Sequence, residues 1–118
     1  MSGRILVVDD EENIRGLFAA ELESEGWEVE CASDSREALD KVTSGDVSLV
    51  ILDIRLGEED GLQLLERIKE NQSNLPVILS SAYSVYKSDF KSWLADDYVV
   101  KSSDLTELKK KIRELVEF

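Results

Sequence analysis

Arg4-Ile5-Leu6-Val7-Val8-Asp9-Asp10 and Ser48-Leu49-Val50-Ile51-Leu52-Asp53 are two short apolar runs, and each closes on carboxylates. Apolar runs of this length without polar alternation are the pattern of parallel strands covered on both faces. An acid that ends such a strand leaves the sheet at one edge. Where the two strands are neighbours, Asp9, Asp10 and Asp53 converge on one spot. At about 5 Å and an effective dielectric of ~20, each like-charged pair costs about 3 kcal/mol. The cluster therefore demands a cation, a proton or a chemical purpose.

Working outward, further strands are expected at 28–32, 76–80 and 98–100, besides 4–8 and 49–52. Helical periods lie between them. Ile14, Leu17, Phe18 and Leu22 follow the i, i+3, i+4 spacing of a core-facing stripe, with Gly26 as its stop. Asp34-Ser35-Arg36-Glu37 reads as a capping box opening a helix through Ala38, Leu39 and Val42, which ends near Gly45. Leu62, Leu65 and Ile68 line a third helix after Gly61. Tyr86, Phe90, Trp93 and Leu94 suggest a fourth. Asp104 and Glu107 can cap a fifth, whose core face is Leu105, Leu108, Ile112 and Leu115. Strict strand–helix alternation with short joints implies a parallel α/β sheet with helices on both faces. Ligands of such sheets bind outside the carboxyl ends of the strands. Asp9, Asp10, Asp53, Ser80, Ser81 and Lys101 all fall at those ends.

Composition narrows the chemistry. The chain has 118 residues, enough for one domain with its own core, and it is 42% hydrophobic and 34% charged. A net charge of −12 opposes nucleic-acid phosphates and favours divalent cations or a basic partner. No apolar run approaches the ~20 residues of a membrane span. The single cysteine, Cys31, excludes an internal disulfide, suits a reducing cytoplasm and reads as a small buried hydrophobe. Histidine is absent, which removes imidazole acid–base catalysis, Ser-His-Asp triads and imidazole metal sites. Any metal must be held by oxygen, which favours Mg²⁺, Ca²⁺ or Mn²⁺ over zinc. A carboxylate beside such a cation can attack phosphorus, with Lys101 and Ser81 supplying charge and a hydrogen bond to the phosphoryl oxygens. The ordinary readings are Asp10 as the cap of the first helix, Asp53 as a turn acid and Glu58-Glu59-Asp60 as a solvated loop capping the third.

Val7-Val8-Asp9-Asp10-Glu11, Leu52-Asp53-Ile54-Arg55-Leu56-Gly57 with Gly61, Ser80-Ser81-Ala82-Tyr83 and Asp96-Asp97-Tyr98-Val99-Val100-Lys101 occur in this order. In that order the chain resembles, over nearly its whole length, the receiver domain of two-component response regulators. The resemblance implies a flavodoxin-like, doubly wound (βα)5 fold with a parallel sheet in order 2-1-3-4-5. It implies one receiver domain over 1–118, cytoplasmic, without an output domain in this chain. Asp53 matches the phosphoacceptor, and Asp9 and Asp10 the acidic pair that holds Mg²⁺ together with Asp53 and the Arg55 backbone carbonyl. Ser81 matches the hydroxyl that moves to the phosphoryl group, Tyr98 the aromatic switch and Lys101 the lysine that pairs with the phosphoryl group. Arg55 and Tyr83 match positions that flank the approach of water and set phosphoryl lifetime. The implied partners are a histidine kinase or histidine phosphotransfer protein and a downstream protein or fused output domain. Dimerisation on phosphorylation is compatible with this.

Two departures stand out. Gly57 occupies a place where proline is usual, which implies a more flexible loop. Ser102 replaces the proline that usually follows the lysine through a cis bond, so Lys101-Ser102 either keeps a strained bond or turns trans. These departures motivate the alternative of a pseudo-receiver, the same fold used as a constitutive interaction module. An aspartyl-nucleophile phosphatase fits less well, because Arg55 stands where such hydrolases place a second acid. Neither G-x-G-x-x-G nor G-x-x-x-x-G-K-[ST] occurs.

Overall fold

Strands that are apolar on two faces need two covering layers, and the chain supplies both. In order it forms β1 (Arg4–Val8), α1 (Glu12–Glu23), β2 (Glu28–Ala32), α2 (Ser35–Thr43), β3 (Leu49–Asp53), β4 (Arg55–Leu56), β5 (Glu59–Asp60), α3 (Gly61–Asn71), β6 (Val77–Ser81), β7 (Asp97–Val100) and α4 (Thr106–Leu115). The structure is a computed structural model that describes residues 3–82, 94–102 and 104–116. Five strands pair in parallel in the order β2-β1-β3-β6-β7. With the short β4–β5 hairpin set aside, this is the expected 2-1-3-4-5 order.

Period-two alternation divides the core. Leu6, Val8, Val50, Leu52, Val77 and Leu79 pack under α2 and α3, which contribute Ala38, Val42, Leu62, Leu64, Leu65 and Ile68. Ile5, Val7, Leu49, Ile51 and Ile78 face the opposite side, against Phe18 and Leu22 of α1 and Leu108 and Ile112 of α4. Cys31 is half-buried on that side. Among the described residues no helix is long and apolar enough to cross a membrane.

Several local readings change. Leu17, expected on the core stripe of α1, is 40% exposed, because one buried stripe of a two-layer helix needs only Phe18 and Leu22 at its centre. The N-cap of α1 is Glu11 and not Asp10; its side chain makes no capping bond, and Asp9 Oδ1 accepts the Glu11 N–H instead (2.9 Å). Asp34 caps α2 as expected, accepting the Glu37 N–H at 2.8 Å. Glu37 reaches back one residue further than a capping box requires, to the Ser33 N–H (2.8 Å). Asp104 accepts the Thr106 N–H at the start of α4. The fourth helix expected over Tyr86, Phe90 and Trp93 lies outside the described residues.

The segment after Asp53 is an antiparallel hairpin where an open loop was expected. Gly57 opens its two-residue turn at φ +59°, and Glu58 does not share the positive φ. A glycine at the first central position is what such a turn selects, and proline, fixed near −65°, cannot adopt it. The departure at Gly57 therefore has a backbone reason.

Candidate functional site

Adjacency of β1 and β3, with Val8 opposite Leu52, sends Asp9 and Asp53 out of the same sheet edge. One carboxylate oxygen from each of Asp9, Asp10 and Asp53 lies within 4.8 Å of the others. Their burial differs sharply. Asp9 is 2% exposed and Asp53 6%, whereas Asp10 is open to solvent. Asp10 Oδ2 accepts the Gly57 N–H at 3.0 Å, which ties the β1 edge to the hairpin turn.

Lys101 supplies the compensating charge. Its Nζ lies 2.7 Å from Asp9 Oδ2 and 3.0 Å from Asp53 Oδ2. The second oxygens are engaged by backbone donors, Asp9 by Glu11 as above and Asp53 by the Arg55 N–H at 3.2 Å. Pairing of β6 with β7 delivers Lys101, whose own N–H donates to the Ser81 carbonyl at 2.7 Å. No peptide bond among the described residues is cis, so Lys101-Ser102 is trans, and Lys101 reaches both acids from that geometry.

The edge opens into a recess of about 370 Å³ lined by Asp10, Asp53, Arg55, Gly57, Ser81 and Lys101, among others. Ser80 and Ser81 are both buried. Tyr98 does not line the recess; it is half-buried on β7 opposite Leu79 and packs on the α2–α3 side of the core. Tyr83 lies outside the described residues. Sequence reading passed over Arg15, whose Nη1 donates to the Asp9 carbonyl at 2.8 Å and so braces the β1–α1 joint. It also passed over Glu59, treated as solvated, which accepts from both the N–H and the hydroxyl of Ser35 at 3.0 and 2.7 Å. Each of these contacts joins positions with no shared periodicity, so no pattern announces them.

Two buried acids share one base. Burial pushes the Asp53 carboxyl above its ordinary value of 3.8; Lys101 pulls it back only in part, and Asp9 adds to the rise. Burial alone would lower the Lys101 ammonium, but its bonds to Asp9 and Asp53 carry it above 10.5. A folded-state pKa raised above the unfolded value contributes stability below 3.8 that is lost as pH rises through the folded value. Ionised Asp53 therefore works against folding at neutral pH. Asp53→Asn is expected to raise stability by about 1 kcal/mol at pH 7 without divalent cations, with the gain vanishing near pH 4. Urea unfolding at the two pH values checks this, and a variant less stable than wild type at pH 7 would contradict it.

Residues 5–113 match the response regulator receiver domain family. Among curated proteins, the chain is 36% identical over 107 residues to regulatory protein AtoC of Escherichia coli, covering 89% of this chain and 23% of that protein. It is 33% identical over 114 residues to response regulator ArlR of Staphylococcus saprophyticus, covering 96% and 52%. The chain thus spans a quarter to a half of the length of these relatives. Among solved structures it superposes on the response regulator TrrA of Thermotoga maritima, in complex with Mg²⁺-BeF, with a TM-score of 0.93, 48% identity and coverage of 97% and 99%. TrrA in complex with the histidine kinase ThkA gives 0.91, 48% identity and coverage of 98% and 99%. A receiver domain protein of Methanospirillum hungatei gives 0.90 at 32% identity, covering 97% and 93%. With the match running through nearly the whole sheet and both strands that carry the acidic edge, the chain belongs to the response regulator receiver domain family.

Proposed function

We propose that the chain accepts a phosphoryl group from a partner's phosphohistidine onto Asp53, in a Mg²⁺-dependent reaction, and passes the signal on by a change of surface. The observation that carries this reading is Asp53 itself, a nearly buried carboxylate at the wall of an open recess, with Lys101 at 3.0 Å. The donor set suits a hard divalent cation, because it consists of three converging carboxylates without nitrogen or sulfur. Asp9, Asp10 and Asp53 would hold the ion, with the Arg55 carbonyl as a further ligand. Bound there, Mg²⁺ supplies positive charge to the phosphoryl oxygens. The Mg²⁺-BeF complex of TrrA, 48% identical, supports the cation, and its separate complex with the histidine kinase ThkA supports the partner.

The chain's own residues do the rest. The Arg55 N–H fixes one oxygen of Asp53 and leaves the other, beside Lys101, for attack on phosphorus. An oxygen–phosphorus bond forms as the donor's nitrogen–phosphorus bond breaks, giving an acyl phosphate. Lys101 then pairs with a phosphoryl oxygen, and the Ser81 hydroxyl donates to another. Ser81 lies opposite Val100 in the β6–β7 ladder, two residues beyond Tyr98, so a shift of Ser81 biases the strand that carries Tyr98. Arg55, which lines the recess, shields the acyl phosphate from water; the same role for Tyr83 rests on its sequence position alone.

Intact-mass measurement after incubation with phosphoramidate and Mg²⁺ tests the assignment. Wild type is expected to gain one phosphoryl group, Asp53→Asn none, and wild type in excess EDTA none. A wild type that never gains it would leave the constitutive interaction module as the better reading. An Asp53→Asn protein that gains it would move the acceptor elsewhere.

A further inference from the structure

The β4–β5 hairpin carries Arg55 and is anchored in the core by Leu56, while two polar contacts that differ in kind fasten its turn and its second strand. Gly57 N–H bonds Asp10 within the acidic edge. Glu59 reaches away from that edge to the first turn of α2, where Ser35 offers it an N–H at 3.0 Å and a hydroxyl at 2.7 Å. Charge-assisted bonds of this length are among the stronger polar contacts, and the free N–H groups at a helix start favour an anion there. Asp34 already caps α2 through the Glu37 N–H, so Glu59 is a second, distant acid on the same helix end.

We propose that Glu59 and Ser35 act as positioning residues for the cation-binding edge, holding the hairpin so that Asp10 and the Arg55 backbone are prearranged for Mg²⁺. The inference rests on the proposed Mg²⁺ site. Neither residue touches the cation; both set how much ordering the hairpin must undergo when it binds. By linkage the effect is reciprocal, so Mg²⁺ strengthens the Ser35–Glu59 latch by the factor through which the latch strengthens Mg²⁺ binding.

Ser35→Pro separates this from a general structural role. Ser35 is the first residue of α2, where proline is well tolerated, and Asp34 before it is extended (φ −148°, ψ 174°), as a residue preceding proline should be. The substitution removes both donors to Glu59 and leaves the net charge unchanged. Titration of ¹⁵N-labelled protein with MgCl₂, followed by amide chemical shifts, is expected to show a dissociation constant raised roughly 5-fold in Ser35→Pro. Glu59→Ala should weaken binding at least as much, and the double variant no more than Glu59→Ala alone. Ser35→Thr, which keeps both donors, and Glu58→Ala, which removes a neighbouring charge, should stay within about 2-fold of wild type. In wild type, exchange of the Ser35 amide should slow on adding Mg²⁺. Saturable wild-type binding with Ser35→Pro unchanged overturns the latch alone. Absence of saturable shifts in wild type overturns the Mg²⁺ reading beneath it.

Discussion

A Lys101→Met protein is expected to unfold about 3 kcal/mol more readily than wild type at pH 7 in Mg²⁺-free buffer. The figure follows from what the substitution leaves behind. Breaking a buried ion pair by removing one partner costs roughly 3–5 kcal/mol, because the remaining charge is stranded in a poorly solvated place. Here two charges are stranded, since Lys101 Nζ serves Asp9 at 2.7 Å and Asp53 at 3.0 Å. The opposite substitution has the opposite sign. Asp53→Asn leaves one acid facing one base, and stability rises, whereas Lys101→Met leaves two acids facing each other.

The pH dependence distinguishes this from lost packing. Without Lys101, Asp53 loses the partner that pulls its pKa down, so its folded value climbs further above 3.8. A raised carboxyl contributes stability that is present at low pH and lost as pH rises through its folded value. The deficit of Lys101→Met should therefore shrink as pH falls from 7 towards 4. Added Mg²⁺ should stabilise the variant more than wild type, because in wild type the ammonium already occupies the acids' oxygens. Urea midpoints across pH, with exposed Lys110→Met as the control for net charge, measure all of this. A deficit that is small, or that does not vary with pH, would mean that the site holds its acids apart by some other means.

The same imbalance explains what could be read in the sequence. Strands announce themselves where both faces are buried, as in Ile5–Val8 and Leu49–Leu52, because every residue there must be apolar. Once those strands are neighbours, the convergence of Asp9, Asp10 and Asp53 follows from the acids at their ends. Periodicity carries less where one stripe is enough, and Leu17 satisfies the helical spacing yet lies outside the core. The β4–β5 hairpin was illegible for a different reason. Strands of two residues have no period, and Gly57-Glu58-Glu59-Asp60 has the composition of any polar loop. The bond from Glu59 to Ser35 spans 24 residues and two elements, so only the folded chain brings it out. At Ser102 the sequence left two backbone geometries open, and in the trans form Lys101 still meets both acids.

Gly61→Ala is expected to destabilise the protein by about 3 kcal/mol or more, against the usual sign of such a change. Gly61 is the first residue of α3, after the Asp60 cap. Its φ is not positive, so its backbone conformation does not require glycine. A glycine-to-alanine change at a compatible helical position normally stabilises by about 0.5–1 kcal/mol through the entropy of the unfolded chain. Space reverses the sign here. Gly61 N–H donates to the Ile54 carbonyl at 2.6 Å, which draws the start of α3 against the end of β3. A Cβ at Gly61 would overlap the Asp53 carbonyl oxygen and stand 2.8 Å from both Ile54 Cα and Ile54 O. All three are backbone atoms, so no side-chain rotation relieves the contact, and the strain falls on the residue that carries the site. Gly16 provides the contrast within the same protein. It lies inside α1, and a Cβ there meets nothing within 4 Å. Gly16→Ala should raise stability by about 0.5–1 kcal/mol. Chemical denaturation of the two variants side by side is the measurement. If Gly61→Ala matched the gain of Gly16→Ala, the close approach of α3 to Asp53 would not be what sets the position of the acid.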